Sequence, residues 1–337
     1  MPGSTRSTRV LALSACGALV SALAWLPAGP ALALGPTDAL QLQGNVNFST
    51  SGPTCTQVGT EPSQTTPFTN GSASDTATMD TTVTNTDAVT PDPGDHTHVT
   101  GNISATTKLK KHNGSMTSFN LTGTGAVSVN AAEGSASQCN VTAQMTAAST
   151  ALFSEAKSGW IYVTRSQAKN MVSEMVIESP SGTPYIDIFG GPKSTNTERV
   201  FVTPGQYLAV SAFVVSSTPI FFLKSTPSAT LGGAFLAAGS ALGGAKGNGV
   251  KYVKFPGSIS CSHHSARLTW SRKAGQVASG SFFVNGQKKA SASTPKAGHS
   301  VVLRHLSKTA DNKITAKLSL KGGGHASASR VYVPCKG

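Results

Sequence analysis

The chain reads as an all-β protein: two β-sandwich-like domains joined by a Gly/Ala-rich linker, behind an N-terminal signal peptide. Three observations predict this. Short period-two alternation of apolar and polar residues recurs along most of the sequence, while helix-period patterning is scarce. Charged residues make up only 12% of the chain, yet enough Val, Ile, Leu and Phe remain among the Ser, Thr, Gly and Ala to build cores. The N-terminus carries the pattern of an export signal and leaves an even number of cysteines behind it.

Residues 1–33 form that signal. Arg6 and Arg9 supply the positive region, Val10 to Leu26 the apolar region, and Ala31-Leu32-Ala33 the small residues of a cleavage site, so the mature chain is expected to start at Leu34. Leu13-Ser14-Ala15-Cys16 resembles a lipidation box, but it lies too near Arg9 and the apolar run continues past it. Pro27, Gly29 and Pro30 break the run before the cleavage site, which argues against an uncleaved anchor helix. The expected location is therefore extracellular, with any envelope attachment non-covalent. No transmembrane segment is expected after cleavage.

Cys55, Cys139, Cys261 and Cys335 remain. Three pairings are open, and the spacing favours Cys55–Cys139 and Cys261–Cys335, one bridge per domain. With no Cys-x-x-Cys pair, a structural role is expected rather than a catalytic or metal-binding one.

The first domain is expected over 34–224, with a break near 150–160 that would make two subdomains. Leu40 to Phe48, Thr78 to Val83, Ile103 to Leu109, Phe119 to Leu121 and Ala126 to Val129 alternate as strands, separated by turn signals at Asn70-Gly71, Pro93-Gly94 and Asn113-Gly114. Thr suits the solvent side of such an antiparallel sheet. Residues 159–223 are the most apolar mature segment. Trp160 to Val163, Met175 to Ile177, Tyr185 to Phe189, Arg199 to Val202, Tyr207 to Val215 and Ile220 to Leu223 read as strands, and a short helix competes with a strand over Ser166 to Ser173. The run of strand, Ser179-Pro-Ser-Gly-Thr turn, strand, Pro204-Gly205, strand resembles small jelly-roll or sandwich accessory domains of exported bacterial proteins. That resemblance implies a packing module rather than an active site.

Residues 225–250 are uncharged until Lys246 and rich in Gly and Ala, a composition that reads as a linker. Gly239-x-x-x-Gly243 matches a membrane helix-packing motif, but the stretch is too short and too glycine-rich to span a bilayer.

The second domain is expected over 251–337. Strands follow one another at Ile259 to Cys261, Arg267 to Trp270, Gly280 to Val284, Val301 to Leu303, Ile314 to Leu320 and Ser329 to Val333, with a tight turn at Asn285-Gly286. Cys261, Leu268-Thr-Trp270, Phe283-Val-Asn-Gly286, Leu303 and Arg330-Val-Tyr-Val-Pro-Cys335 resemble the immunoglobulin-like modules of exported actinobacterial proteins. The resemblance implies a sandwich fold. The second cysteine here follows the last strand, with Tyr332 three residues before it, so the bridge is not expected to be the central inter-sheet bond of a true immunoglobulin domain.

No Gly-x-Ser-x-Gly, His-Glu-x-x-His or phosphate-loop motif occurs, and no cofactor is expected. Residues 92–98 concentrate acids and histidines. His96 and His98 would share a strand face, and with Asp95 they are weak candidates for a metal site whose third ligand is unspecified; the plainer reading is a polar turn.

Charge is the stronger signal. From Ser225 to Gly337 there are sixteen Lys and Arg and one acid, Asp311, whereas Leu34 to Lys224 holds nine against thirteen. A surface built only for solubility would mix signs. Arg272, Lys273, Lys288, Lys289, Arg304, Lys313, Lys317 and Lys321 are the candidate polyanion-binding residues, and five of the eight histidines lie in the same segment, where they would add charge below about pH 6.5. Docking onto the acidic first half is the competing explanation. Sequence-specific nucleic-acid binding is not expected, because Trp270, Phe282 and Phe283 read as core rather than as stacking platforms. The expected function is non-enzymatic adhesion to an anionic polymer of the cell envelope. The alternatives are a structural protein–protein scaffold or a carbohydrate-active enzyme, which would need convergent carboxylates among Asp75, Asp80, Glu155 and Asp187.

Overall fold

Twenty strands and no α-helix make up the described part of the chain in a computed structural model; the structure describes residues 38–48, 54–68, 70–86, 96–131, 139, 141–167, 171–178, 184–190, 195–217 and 227–336. Residues 1–33, where the export signal is expected, lie outside this set, and so does Asp95. Among the described residues no helix is long and apolar enough to cross a membrane. The all-β class expected from the alternation is what the chain adopts.

Two compact units form. Of the described residues, the first contains those up to Ser154, then those in Val163–Glu198 and Gln206–Gly233; the second contains those in Glu155–Tyr162, Arg199–Gly205 and from Ala234 onward.

The strands of the first part of the chain are β1 (Asp38–Asn47), β2 (Cys55–Thr60), β3 (Ser63–Phe68), β4 (Gly71–Asn85), β5 (His96–His112), β6 (Ser115–Ala131), β7 (Thr142–Glu155), β8 (Gly159–Gln167), β9 (Met171–Glu178), β10 (Pro184–Gly190), β11 (Thr195–Val202), β12 (Gly205–Ser217) and β13 (Ser228–Ala237). They build a six-stranded sheet in the order β10-β9-β12-β7-β1-β3 and a seven-stranded sheet in the order β11-β8-β13-β6-β5-β4-β2. The two sheets bury Leu40, Leu42, Met145 and Phe153 from one side and Val99, Ile103, Leu109 and Leu121 from the other. A buried hydrogen bond of 2.8 Å between the Thr107 and Ser149 hydroxyls crosses between them.

The two short strands expected at 119–129 are one 17-residue strand, β6. Gly123 and Gly125 interrupt the apolar alternation because Phe213 of the facing sheet leaves no room for a Cβ at Gly123, and Val215 leaves only a tight 3.0 Å at Gly125. Asn113-Gly114 forms the tight turn between β5 and β6 with both residues at positive φ, as the pair requires. Cys55 and Cys139 are bonded. The helix that competed over 166–173 is not formed at either end, since β8 runs to Gln167 and β9 starts at Met171.

The Gly/Ala segment expected as a linker is corrected by the structure. It is β13, with Ala229 and Leu231 buried at alternate positions, followed by a segment paired into the second unit through Ser240–Ser258, Ala241–Tyr332 and Lys246–Ser329 bridges. At Gly239 and Gly247 a Cβ would meet the Cys261 Sγ at 2.8 Å and run into the Ser327 carbonyl oxygen, so there glycine serves close approach.

The second unit holds β14 (Val253–Lys254), β15 (Ala266–Trp270), β16 (Val277–Val284), β17 (Gln287–Ser293), β18 (Ser300–Leu303), β19 (Asn312–Leu320) and β20 (His325–Tyr332). They form a three-stranded sheet β14-β15-β18 and a four-stranded sheet β17-β16-β19-β20. One core lies between the sheets, built on Tyr252, Leu268, Trp270, Phe282, Leu303, Ile314 and Tyr332. Trp270 and Phe282 meet edge to face at 5.5 Å, and the Trp270 ring fills the space a side chain at Gly280 would take. Cys261 is bonded to Cys335, tying the turn before β15 to the segment after β20, as expected from their spacing.

Candidate functional site

The second unit carries the basic residues, and its strand register sorts them onto two faces. On the outer face of the four-stranded sheet, β19 alternates buried Ile314, Ala316 and Leu318 with exposed Lys313 and Lys317, and exposed Lys321 follows at the same parity. Successive lysines of this row stand about 13 Å apart along the strand. Lys317 lies opposite Ser281 of β16 and Ser327 of β20, while Ser319 lies between Ser279 and His325. On β17, Lys288 pairs with Phe283, and Lys289 occupies the bulge where the register shifts.

Phe283 corrects the sequence reading, which assigned it to the core. Phe282 points inward and is fully buried, so its neighbour must face outward, and Phe283 sits half-buried on the surface with the Lys317 ammonium 5.0 Å from its ring centroid. Ser279, Ser281, Phe283, Lys317, His325 and Ser327 line a shallow depression of about 400 Å³.

The remaining candidates lie elsewhere. Arg272 and Lys273 are exposed on a 3-10 turn, Arg272–Gln276, that joins the two sheets and is capped by the Ser271 hydroxyl accepting from the Lys273 amide at 3.1 Å. Arg304 follows β18 on the outer face of the three-stranded sheet, where Arg267 also projects; the sequence reading had left Arg267 out. Strand parity around the 266–303 pairing was the signal that would have found it.

Asp311, the one acid between Ser225 and Gly337, is already engaged. Its carboxylate accepts from Arg199 at 2.5 Å, and the same guanidinium donates to the Tyr162 hydroxyl at 2.9 Å and lies 4.8 Å above the Trp160 ring. Trp160 in turn donates its indole N–H to the Pro334 carbonyl at 2.9 Å. Arg330 is consumed structurally, donating to the carbonyls of Gly243 at 3.0 Å and Pro256 at 2.9 Å. Tyr332 donates to the same Pro256 carbonyl at 3.0 Å, and burial pushes its phenol up to about 12.

The histidine constellation resolves differently. His96 and His98 do share the exposed face of β5, but their partners are on β4: the His98 ring nitrogen meets Asp80 at 2.8 Å and the His96 ring nitrogen meets the Thr84 hydroxyl at 2.9 Å. Among the described residues no group of three His, Cys, Asp or Glu is arranged to hold a metal ion. Asp75 and Asp80, five residues apart on β4, project from opposite faces of the strand; Asp75 accepts from the Thr66 hydroxyl at 2.6 Å. Glu155 is buried in the second unit, and Asp187 lies in β10, its side chain outside the described residues.

No family model and no curated protein matches the chain. Among solved structures it is similar to a GH2 β-galacturonidase from Eisenbergiella tayi (11% identity, TM-score 0.17, 56% of this chain and 35% of that one). It is also similar to the adhesin domain of Epf from Streptococcus pyogenes (10%, TM-score 0.19, 79% and 92%) and to the infectious bursal disease virus Gx strain structure (9%, TM-score 0.16, 88% and 65%). The chain spans about a third of the galacturonidase's length.

Proposed function

We propose that this is an exported, non-enzymatic binding protein whose second unit adheres to an anionic polymer of the cell envelope. The observation that carries the reading is the state of Asp311. The segment's one acid is neutralised by Arg199, so the lysine row Lys313, Lys317 and Lys321 has no carboxylate facing it among the described residues. Uncompensated like charges on one sheet face attract a polyanion that comes within roughly 8 Å of them in physiological salt solution. The serine hydroxyls between them offer hydrogen bonds to any polymer, which suits avidity rather than base-specific recognition. Sheets of three and four strands around a buried tryptophan also support reading the second unit as an immunoglobulin-like module. The two disulfides suit an oxidising compartment.

The test is a salt series on whole envelopes and on an immobilised polyphosphate or teichoic-acid column. Retention should fall steeply and linearly with log salt. Free protein at low salt, or retention indifferent to salt, would refute the adhesion reading.

A further inference from the structure

The opposite face of the second unit carries a second cationic feature, of a different kind. Ser260 and Ser265 form an antiparallel bridge that closes the turn Cys261–His264, and the Cys261–Cys335 bond anchors that turn. Within it, the Ser260 and Ser262 hydroxyls lie 3.1 Å and 3.0 Å from Nδ1 of His263, and the His263 amide donates to the Ser260 hydroxyl at 3.3 Å. Nδ1 is thus held inside the turn and Nε2 is left for an outside partner.

Two arginines stand beside this imidazole. Arg267 pairs across β15 and β18 with Val302, and the register carried one step further sets Ser265 opposite Arg304. Arg267 and Arg304 are therefore diagonal neighbours on one sheet face, a spacing across which long side chains meet. Both are exposed, and among the described residues neither side chain forms an ion pair or hydrogen bond. Ser260, His263, Ser265, Arg267, Val302 and Arg304 line one depression of about 370 Å³ with no carboxylate in its wall. Two guanidinium groups set side by side without a counter-charge repel each other unless an anion bridges them, and their fork of N–H groups matches a tetrahedral oxyanion.

We propose that this depression is a discrete binding site for a phosphate or sulfate group, with Arg267 and Arg304 as the bidentate donors and His263 and the serine hydroxyls completing the shell. It differs from the lysine row in kind. The row offers spaced point charges to a long polymer, whereas this site converges donors on one group. It also stands independently of the adhesion reading, since different residues carry it.

The experiment titrates the full disulfide-bonded mature chain with inorganic phosphate, sulfate, glycerol 1-phosphate and glucose 6-sulfate, with chloride at matched ionic strength as control. The readout is the NMR resonances of the arginine Nε–H groups and the His263 ring. The expected result is saturable shifts in the oxyanion arms only, with affinity reduced about tenfold or more in Arg267→Gln and in Arg304→Gln and unchanged in Lys317→Gln. Arg304→Lys, which keeps the charge and loses the fork, should also weaken binding. Affinity for the esters equal to that for the free ions shows that the site accepts the group when a larger molecule carries it, and binding of the free ions alone assigns the site to the free anion; both support the site. Shifts that track ionic strength equally in chloride, or that survive both arginine substitutions, would overturn it. Loss of polymer retention in lysine-row variants with these shifts intact separates the two readings.

Discussion

Asp311 illustrates how one residue decides the meaning of many others. Left free, it would offset part of the basic surface; held by Arg199, itself stacked on Trp160, it contributes to packing and leaves the lysines uncompensated. Tyr332 is the other residue with a measurable consequence. An unfolded phenol ionises near 10, whereas the buried Tyr332 phenol is pushed up to about 12. The unfolded state therefore loses its proton first. Stability from this group is intact below about pH 10 and declines as pH climbs from there towards the folded value. Urea unfolding of the wild type and of Tyr332→Phe at pH 9 and 11 checks this: the wild type should lose about 1–2 kcal/mol more across that interval than the variant. At neutral pH the variant should be weaker by about 1 kcal/mol, from the lost bond to Pro256. Equal alkaline losses would mean that Tyr332 is not the titrating group.

At the scale of elements, strand β19 unites structure and candidate function, because its period of two puts Ile314, Ala316 and Leu318 into the core and Lys313 and Lys317 on the surface. Replacing Lys313, Lys317 and Lys321 with Gln should leave the fold within about 0.5 kcal/mol of wild type, as surface changes do. The same change should lower the slope of log retention against log salt by about one for each cation removed. An unchanged slope would move the polymer site away from this face. Elements were legible where alternation was clean, as in β1, β5 and β19. They were not legible where the partner sheet dictates the residue: Gly123 and Gly125 read as a break, yet β6 passes straight through them because Phe213 fills the space at the first and Val215 crowds the second. The Ala- and Thr-rich β7 went unread for a related reason. Its small buried residues, Ala143, Ala147 and Ala151, carry little hydrophobic contrast.

At the scale of the whole molecule, the two disulfides follow the two halves of the chain. Cys261–Cys335 closes a separation of 74 residues. Its removal by the paired substitutions Cys261→Ser and Cys335→Ser should lower stability on the order of 4 kcal/mol by freeing the unfolded chain. Chemical denaturation of the oxidised wild type beside the variant measures it. A loss below about 1 kcal/mol would show that the unfolded chain is scarcely restricted by the bridge. The net charge of +13 belongs to no single surface, since Leu34 to Lys224 holds nine Lys and Arg against thirteen acids.

The sequence by itself determined the all-β class, the tight turns at Asn113-Gly114 and Asn285-Gly286, and the separation of charge between halves; of the three cysteine pairings it left open, the structure forms the one the spacing favours. Each of these depends on local chemistry: side-chain period, the φ a residue tolerates, or charge simply counted along the chain. Only the tertiary structure decided which basic residues share a face, that Phe283 looks outward under Lys317, that Arg267 stands beside Arg304, and that the Gly/Ala stretch is strand β13 rather than a linker. Those facts depend on cross-strand register and on the shape of the facing sheet. Register is set by residues far apart in the chain, and no single segment carries it.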